Sequence, residues 1–287
     1  FPEAAFVAEW GRPYESMQAG FDMDFYLDWR WDGRPNGYNM LLRNTDTPLD
    51  HESDASYFNA DSGTSIAPFL EQYLPQLHDC ERASGTFNLI TCNHDTLRVA
   101  QRLTERELKV AYGMLLTMPG CPFLYYGDEI GMRYRPLPTK EGGYVRTGSR
   151  TPMQWDASKH AGFTAGEPWI NLCDNAADIN VAAALRDTDS VFYTYQKLIA
   201  LRKAEPVITW GDYQDLLPDS PHLWCYQREW QGQRLLVIAN LSDTFQNWQP
   251  VQADGNWQVL MHNYAEVASQ PADMTLRPFE AVWWLQK

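Results

Sequence analysis

Two short stretches of this chain carry groups suited to proton chemistry. In Gly85–Arg98 an apolar run, Phe87 to Thr91, stops abruptly at Asn93-His94-Asp95. Near the start, the apolar run Ala4–Ala8 stops at Glu9-Trp10-Gly11-Arg12-Pro13. Carboxyls and an imidazole are the side chains general acid–base catalysis draws on, and a strand tip is where a buried strand can present them. Each stretch also has a plainer reading. Asp95 could N-cap the next helix, and Glu9 could be a solvated residue in a strand-end loop.

The elements around them decide how such groups could be held. Phe21–Trp29 alternates polar and aromatic residues, so Asp22, Asp24 and Asp28 share one face of a half-buried strand. Asp32–Gly63 is polar and loop-like. Ile66, Phe69, Leu70, Tyr73, Leu74 and Leu77 then fall on one helical face. Thr104-Glu105-Arg106-Glu107 is a capping box, opening a helix with Leu108, Ala111, Tyr112, Leu115 and Leu116 inward. Pro119-Gly120-Cys121-Pro122 ends that helix. Phe123–Tyr126 is a fourth strand, with Gly127-Asp128-Glu129 at its tip. Strand, loop, helix, strand is the pattern of a parallel α/β layer. Chemistry at strand C-termini suits half of a (β/α)8 barrel. An open doubly wound sheet is the competitor, but no Gly-rich phosphate turn follows any strand.

Arg133 to Asp189 is too long for an ordinary connection, and its aromatic and Pro content points to an ordered lid. Val191, Tyr195, Leu198 and Ile199 mark one more helix, ending near Lys203. After Pro206 the pattern changes to short runs rich in β-branched and aromatic residues: Trp210–Leu216, His222–Trp230, Arg234–Asn240, Trp248–Val251, Trp257–His262 and Phe279–Leu285. Gln231-Gly232 and Asp254-Gly255 punctuate them as turns. The expected division is an α/β half-barrel over 1–204 and an antiparallel β-sandwich over 205–287.

Composition narrows the function. The net charge of −14 argues against nucleic acid and anionic membranes as partners. No stretch approaches the length of a membrane span. The five cysteines are irregularly spaced without a CxxC, which reads as free thiols in a reducing, cytoplasmic compartment. His51, His160, His222 and His262 show no metal spacing.

Three motifs in order carry a resemblance. Phe6-Val7-Ala8-Glu9-Trp10, Asn93-His94-Asp95, and Pro122-Phe123-Leu124-Tyr125-Tyr126-Gly127-Asp128-Glu129-Ile130-Gly131-Met132 resemble strands five, seven and eight of the α-amylase superfamily, glycoside hydrolase family 13. Arg150-Thr151-Pro152-Met153-Gln154-Trp155 with Ala161-Gly162-Phe163 is similar to its oligo-1,6-glucosidase and α-glucosidase branch. From about Phe163 onward, through Arg277-Pro278-Phe279-Glu280-Ala281-Val282-Trp283-Trp284-Leu285, the chain resembles the trehalose-6-phosphate hydrolase branch.

The resemblance implies a retaining glycosidase of short α-glucosides, with trehalose-6-phosphate hydrolysis as the alternative. Arg133, Arg135, Lys140, Arg146 and Arg150 are the cations available to a phosphate. Glu9 becomes the acid/base, and an apolar strand end with Trp10 beside it would desolvate the carboxyl. Asp95 becomes the acid that holds sugar hydroxyls; His94, Asn93 and Arg150 become substrate-binding residues. Asp128 and Glu129 are read as structural. No cofactor and no metal are implied, because the calcium loops of the family lie mainly in its other half. The family nucleophile ends a strand-four motif that precedes the Glu, and nothing here matches it: Gly20-Phe21-Asp22-Met23-Asp24 lacks the Arg and follows Glu9. The chain is therefore expected to be the C-terminal part of such an enzyme, needing an N-terminal half-barrel as partner. An inactive remnant or a non-catalytic amylase-like subunit is the remaining alternative.

Overall fold

The computed structural model describes residues 1–26, 56–60, 65–101, 103–135, 137, 147–250 and 254–287. Its first layer is a parallel sheet of β1 (Val7–Ala8), β2 (Met23–Tyr26) and β3 (Thr86–Leu89), in that spatial order. Val7 pairs with Met23, and Asp24 with Phe87. One parallel bridge, Ile90 to Phe123, adds the next segment. Parallel strands cannot be joined by tight hairpins, so the chain crosses over between them.

The strands are shorter than the apolar runs suggest. Residues 4–6 lie outside β1, although the Phe6 carbonyl accepts from the Asp22 and Met23 amides at 2.9 and 3.1 Å. Asp28 and Trp29 lie outside the described residues. The expected strand Phe123–Tyr126 is reduced to its first residue. The chain turns at once, with the Asp128 amide on the Tyr125 carbonyl at 3.2 Å.

A short helix that sequence periodicity did not mark, α1 (Pro13–Gln18), connects β1 to β2. Helix α2 (Ala67–Arg82) buries Phe69, Leu70, Tyr73, Leu77 and Cys80, the expected face extended by one turn. Helix α3 (Glu105–Thr117) carries the capping box. Thr104 Oγ1 accepts from the Glu107 amide at 3.3 Å, and Glu107 accepts from the Thr104 amide at 2.6 Å. This helix is buried from Glu107 to Thr117 because it is covered on opposite sides. Helix α4 (Val181–Ala184) interrupts the long connection, and α5 (Val191–Ala204) and α6 (Pro206–Trp210) follow.

The remainder is antiparallel. Strands β4 (Asp212–Asp215), β5 (Leu223–Trp230), β6 (Gln233–Asn240), β8 (Gln258–His262) and β10 (Ala281–Gln286) form one sheet in the order β4-β5-β6-β10-β8. A separate ladder pairs β7 (Gln246–Trp248) with β9 (Met274–Leu276), a strand too short to stand out in the sequence. Adjacent tryptophans on β10 serve opposite faces. Trp283 packs toward α3, its indole donating to Thr117 Oγ1 at 3.1 Å. Trp284 packs under the β7–β9 ladder, stacked on Trp248 at 5.7 Å. Gly113 of α3 faces Trp283 so closely that a Cβ would lie 2.5 Å from the ring.

One apolar core runs through both layers. Phe87, Tyr73, Phe69 and Trp224 form a chain of ring contacts at 5.3, 5.0 and 6.3 Å. Two guanidiniums, one buried and one half-buried, close the C-terminal end of α3, where carbonyls lack helical partners. Arg228 donates to the Thr117 carbonyl at 2.6 Å, and Arg202 to the Leu116 carbonyl at 2.8 Å. Among the described residues no helix is long and apolar enough to cross a membrane.

Candidate active site

Glu9 follows β1 directly, and its direction is set by Asp24 on the neighbouring strand. Asp24 is fully buried. Its carboxylate accepts from the amides of Trp10, Gly11 and Arg12 at 3.1, 3.2 and 3.1 Å. It also accepts from Ser16 Oγ at 2.7 Å and from its neighbour Phe25's amide at 2.8 Å. A carboxylate with this many donors is held for structure, not attack. Asp24 thus ties the loop after Glu9 and the start of α1 to β2.

The surroundings of Glu9 differ from expectation. Glu9 is exposed, and Trp10 is 55% exposed. The indole of Trp10 donates to Glu15 at 2.8 Å, with the Arg12 guanidinium 5.9 Å from the ring. The desolvation expected from an adjacent indole is therefore not supplied by the described residues. The ring's polar edge found a carboxylate on α1, which sequence reading had not placed there.

Beyond β3, Asn93, His94 and Asp95 form a tight turn. Asn93 Oδ1 accepts from the Asp95 amide at 2.8 Å, and the Asn93 amide donates to Thr96 Oγ1 at 3.0 Å. Asn93 Nδ2 reaches Glu9 Oε1 at 3.4 Å, so the two tips share one rim. The carboxylate of Asp95 points to the segment 147–150 and not to the following turn: Oδ1 lies 2.7 Å from Arg150 Nη2, and Oδ2 lies 3.4 Å from His94 Nε2. Arg150 Nε and Ser149 Oγ both donate to the His94 carbonyl, at 2.9 and 3.1 Å. Asp95 and Arg150 are largely buried, at 18% and 19% exposure, whereas the His94 ring is half exposed. All five residues singled out in the sequence are thereby brought to one place, and Arg150 arrives from a segment more than fifty positions away.

Asp128 lies below this rim, fully buried, with Thr91 Oγ1 donating to it and Cys92 Sγ 3.2 Å away. Burial pushes its carboxyl up to about 6, against the pull of Arg98 and the Thr91 hydroxyl. Arg98 was not singled out from sequence. Its signal was an arginine inside the apolar run Leu97-Arg98-Val99-Ala100, since a buried guanidinium must find acceptors.

The cations considered for a phosphate are partly engaged. Arg150 holds Asp95, and Arg135 Nε lies 3.1 Å from Asp174 Oδ1. Lys140, Arg146 and His51 lie outside the described residues. Among the described residues no three His, Cys, Asp or Glu side chains group as metal ligands. All five thiols are free, and only Cys121 is exposed.

A family described as "Alpha amylase, catalytic domain" matches residues 44–211. The chain is 52% identical over 233 residues to the trehalose-6-phosphate hydrolase of Escherichia coli (strain K12), a match over 69% of this chain and 42% of the relative. It is 38% identical over 231 residues to the oligo-1,6-glucosidase of Heyndrickxia coagulans, covering 68% of this chain and 41% of the relative. The solved Bacillus licheniformis trehalose-6-phosphate hydrolase (TreA) is similar with a TM-score of 0.80 at 25% identity, over 99% of this chain and 56% of that one. The trehalulose synthase MutB from Pseudomonas mesoacidophila MX-45 shares the fold, with a TM-score of 0.76 at 22% identity and the same coverage. This chain spans about half the length of the curated relatives it matches.

Proposed function

Because this chain belongs to the α-amylase catalytic-domain family, we propose that it carries the acid/base side of a retaining glycosidase site for short α-glucosides. The observation that supports this is the unbroken set of contacts from Glu9 through Asn93 to Asp95, His94 and Arg150 at one strand-tip rim. In this reading the parallel segments are strands five to eight of the barrel, within 1–204, and 205–287 is the accessory β domain.

Glu9 protonates the departing glycosidic oxygen, then deprotonates the water that releases the sugar. Its exposed position leaves room for a substrate to bring the desolvation the reaction needs. Asp95, held between Arg150 and His94, accepts hydrogen bonds from ring hydroxyls that shorten as the ring flattens. His94, with its ring half exposed, donates to the same sugar. The attacking carboxylate belongs to a half-barrel outside this chain.

The edge of the sheet supports such a partner. Phe6, Val7, Trp10, Tyr14 and Phe21 are 60, 38, 55, 55 and 38% exposed around β1. A groove of about 470 Å³ runs along Val7, Ala8 and Phe21 to Glu9. An apolar strand edge of this kind is a template for another strand. The five free thiols fit a reducing compartment such as the cytoplasm.

Among substrates, the 52% identity to a trehalose-6-phosphate hydrolase, against 38% to an oligo-1,6-glucosidase, favours a phosphorylated disaccharide. The test is turnover of p-nitrophenyl α-glucoside, isomaltose and trehalose-6-phosphate by this chain alone and joined to its N-terminal half. Activity that needs both halves and falls by about 10²–10⁴-fold in Glu9→Gln is expected. Turnover by this chain alone that Glu9→Gln leaves intact sinks the assignment, and no turnover by the complete protein points to an inactive remnant.

A further inference from the structure

Beneath the rim lies a buried pair that the chemistry above does not use. Arg98 and Asp128 are each 1% exposed, with Arg98 Nη1 3.9 Å from Asp128 Oδ1. Asp128 receives the Thr91 hydroxyl and lies 3.2 Å from Cys92 Sγ, and these two residues immediately precede Asn93. From α3, Tyr112 Oη donates to the Asp128 carbonyl at 3.2 Å. Arg98 Nη1 donates to the Tyr126 carbonyl at 2.6 Å, and Nη2 to the Ser149 carbonyl at 3.0 Å. Its guanidinium also lies 4.9 and 4.8 Å from the ring centres of Tyr125 and Tyr126. Gly127 leaves room for this: a Cβ there would lie 3.0 Å from Arg98 Nη1, and its φ is +88°.

Three segments that are distant in the chain therefore meet on one ion pair: the end of β3, the turn after Phe123, and residues 147–150. Ser149 then carries the connection upward, since its hydroxyl and the Arg150 Nε share the His94 carbonyl. A buried ion pair adds little net stability over well-packed apolar groups, because desolvation offsets the attraction. What it does fix is geometry, through forked donors and a carboxylate that accept only certain arrangements.

We infer that Arg98 and Asp128 are positioning residues for the rim, setting the height of Asn93 and Asp95 from below and holding Arg150 against the Asp95 carboxylate. The effect on turnover rests on the glycosidase reading; the effect on geometry does not. Asp128 also faces Glu129 on its own turn, Tyr112 of α3, Tyr195 of α5 and Cys92 beyond β3. Arg98 is the cation among these, so it is the group whose removal leaves the Asp128 charge uncompensated.

The experiment uses the complete protein, in wild-type form and as Asp128→Asn, Arg98→Lys and Thr91→Val. Melting temperature, steady-state kinetics on p-nitrophenyl α-glucoside and a crystal structure of each are compared. Asp128→Asn is expected to lengthen the 2.7 Å Arg150–Asp95 contact. It should also lower kcat of the folded enzyme by on the order of tenfold to a hundredfold, as for a small misplacement of reacting groups. Thr91→Val, which leaves the pair intact, should move both in the same direction and less far, and it covers the case in which Asp128→Asn does not fold. Arg98→Lys keeps the charge but loses the fork, and should lose kcat without restoring the Ser149 contact. If these variants lose melting temperature alone, with kcat and the Arg150–Asp95 distance unchanged, the pair is merely structural and the inference is overturned. If the wild-type protein turns over no α-glucoside, the glycosidase reading has failed, and the crystal distances still test the positioning role.

Discussion

Asn93 Nδ2 lies 3.4 Å from Glu9 Oε1, a contact that joins the tips of two strands with β2 between them. The same side chain accepts from the Asp95 amide through Oδ1. One amide group therefore registers one carboxylic acid against the other. Asn93→Ala is expected to free both while leaving the fold intact, since Asn93 is only partly buried. Turnover of p-nitrophenyl α-glucoside by the complete protein should fall by about tenfold to a hundredfold. Unchanged turnover shows that Asn93 holds nothing the reaction uses.

Asp24 should be among the least replaceable residues for stability. Asp24→Ala removes the acceptor for the Trp10, Gly11 and Arg12 amides and for Ser16 Oγ. Each buried donor left without a partner costs about 1–3 kcal/mol, though water reaches part of this loop. A loss of about 3 kcal/mol or more in urea unfolding is expected, with Glu9 displaced. A loss under about 1 kcal/mol rules out Asp24 as the anchor of the loop.

Asp128 makes stability depend on pH in a sense opposite to that of most carboxylates. Burial raises its carboxyl from 3.8 to about 6. The folded state therefore binds this proton more tightly than the unfolded state does. Stability from this group is fully present below about 4 and is lost as pH rises through about 6. Two units correspond to about 3 kcal/mol. Asp128→Asn resembles the protonated form and should lack this dependence. Melts of wild type and variant between pH 4 and 7 should diverge progressively, the wild type losing ground as pH rises. Parallel curves contradict the raised value.

In the long connection before α4, His160, Ala161 and Gly162 adopt successive left-handed conformations, with φ of 55°, 52° and 66°. The turn is held because the Ala161 carbonyl accepts from the Trp155 and Asp156 amides at 2.9 and 3.3 Å. A Cβ on Gly162 would lie 2.8 Å from Asp156 Oδ2. Gly162→Ala should cost about 1–2 kcal/mol from backbone strain, plus the displaced carboxylate. The readout is earlier proteolytic cleavage within 155–165 at native temperature. Wild-type resistance there argues that the turn tolerates a side chain.

The sequence by itself specified which residues could act and the order of the elements carrying them. Apolar runs ending in Glu9 and in Asn93-His94-Asp95, the capping box at Thr104, and the β-rich pattern after Pro206 are all local signals. They are written in periodicity and in side-chain hydrogen bonding within a few residues. Tertiary structure decided how those residues meet. That Asp24 serves as an anchor for the Glu9 loop and that Arg98 reaches Asp128, Tyr126 and Ser149 depend on atoms far apart in the chain, while the bond from Trp10 to Glu15, which leaves Glu9 exposed, depends on how the chain turns into α1. A carboxylate or guanidinium has the same letter whether it is solvated or surrounded by donors and acceptors. Its role follows from which partners packing brings within about 3 Å, and no spacing in the chain encodes that distance.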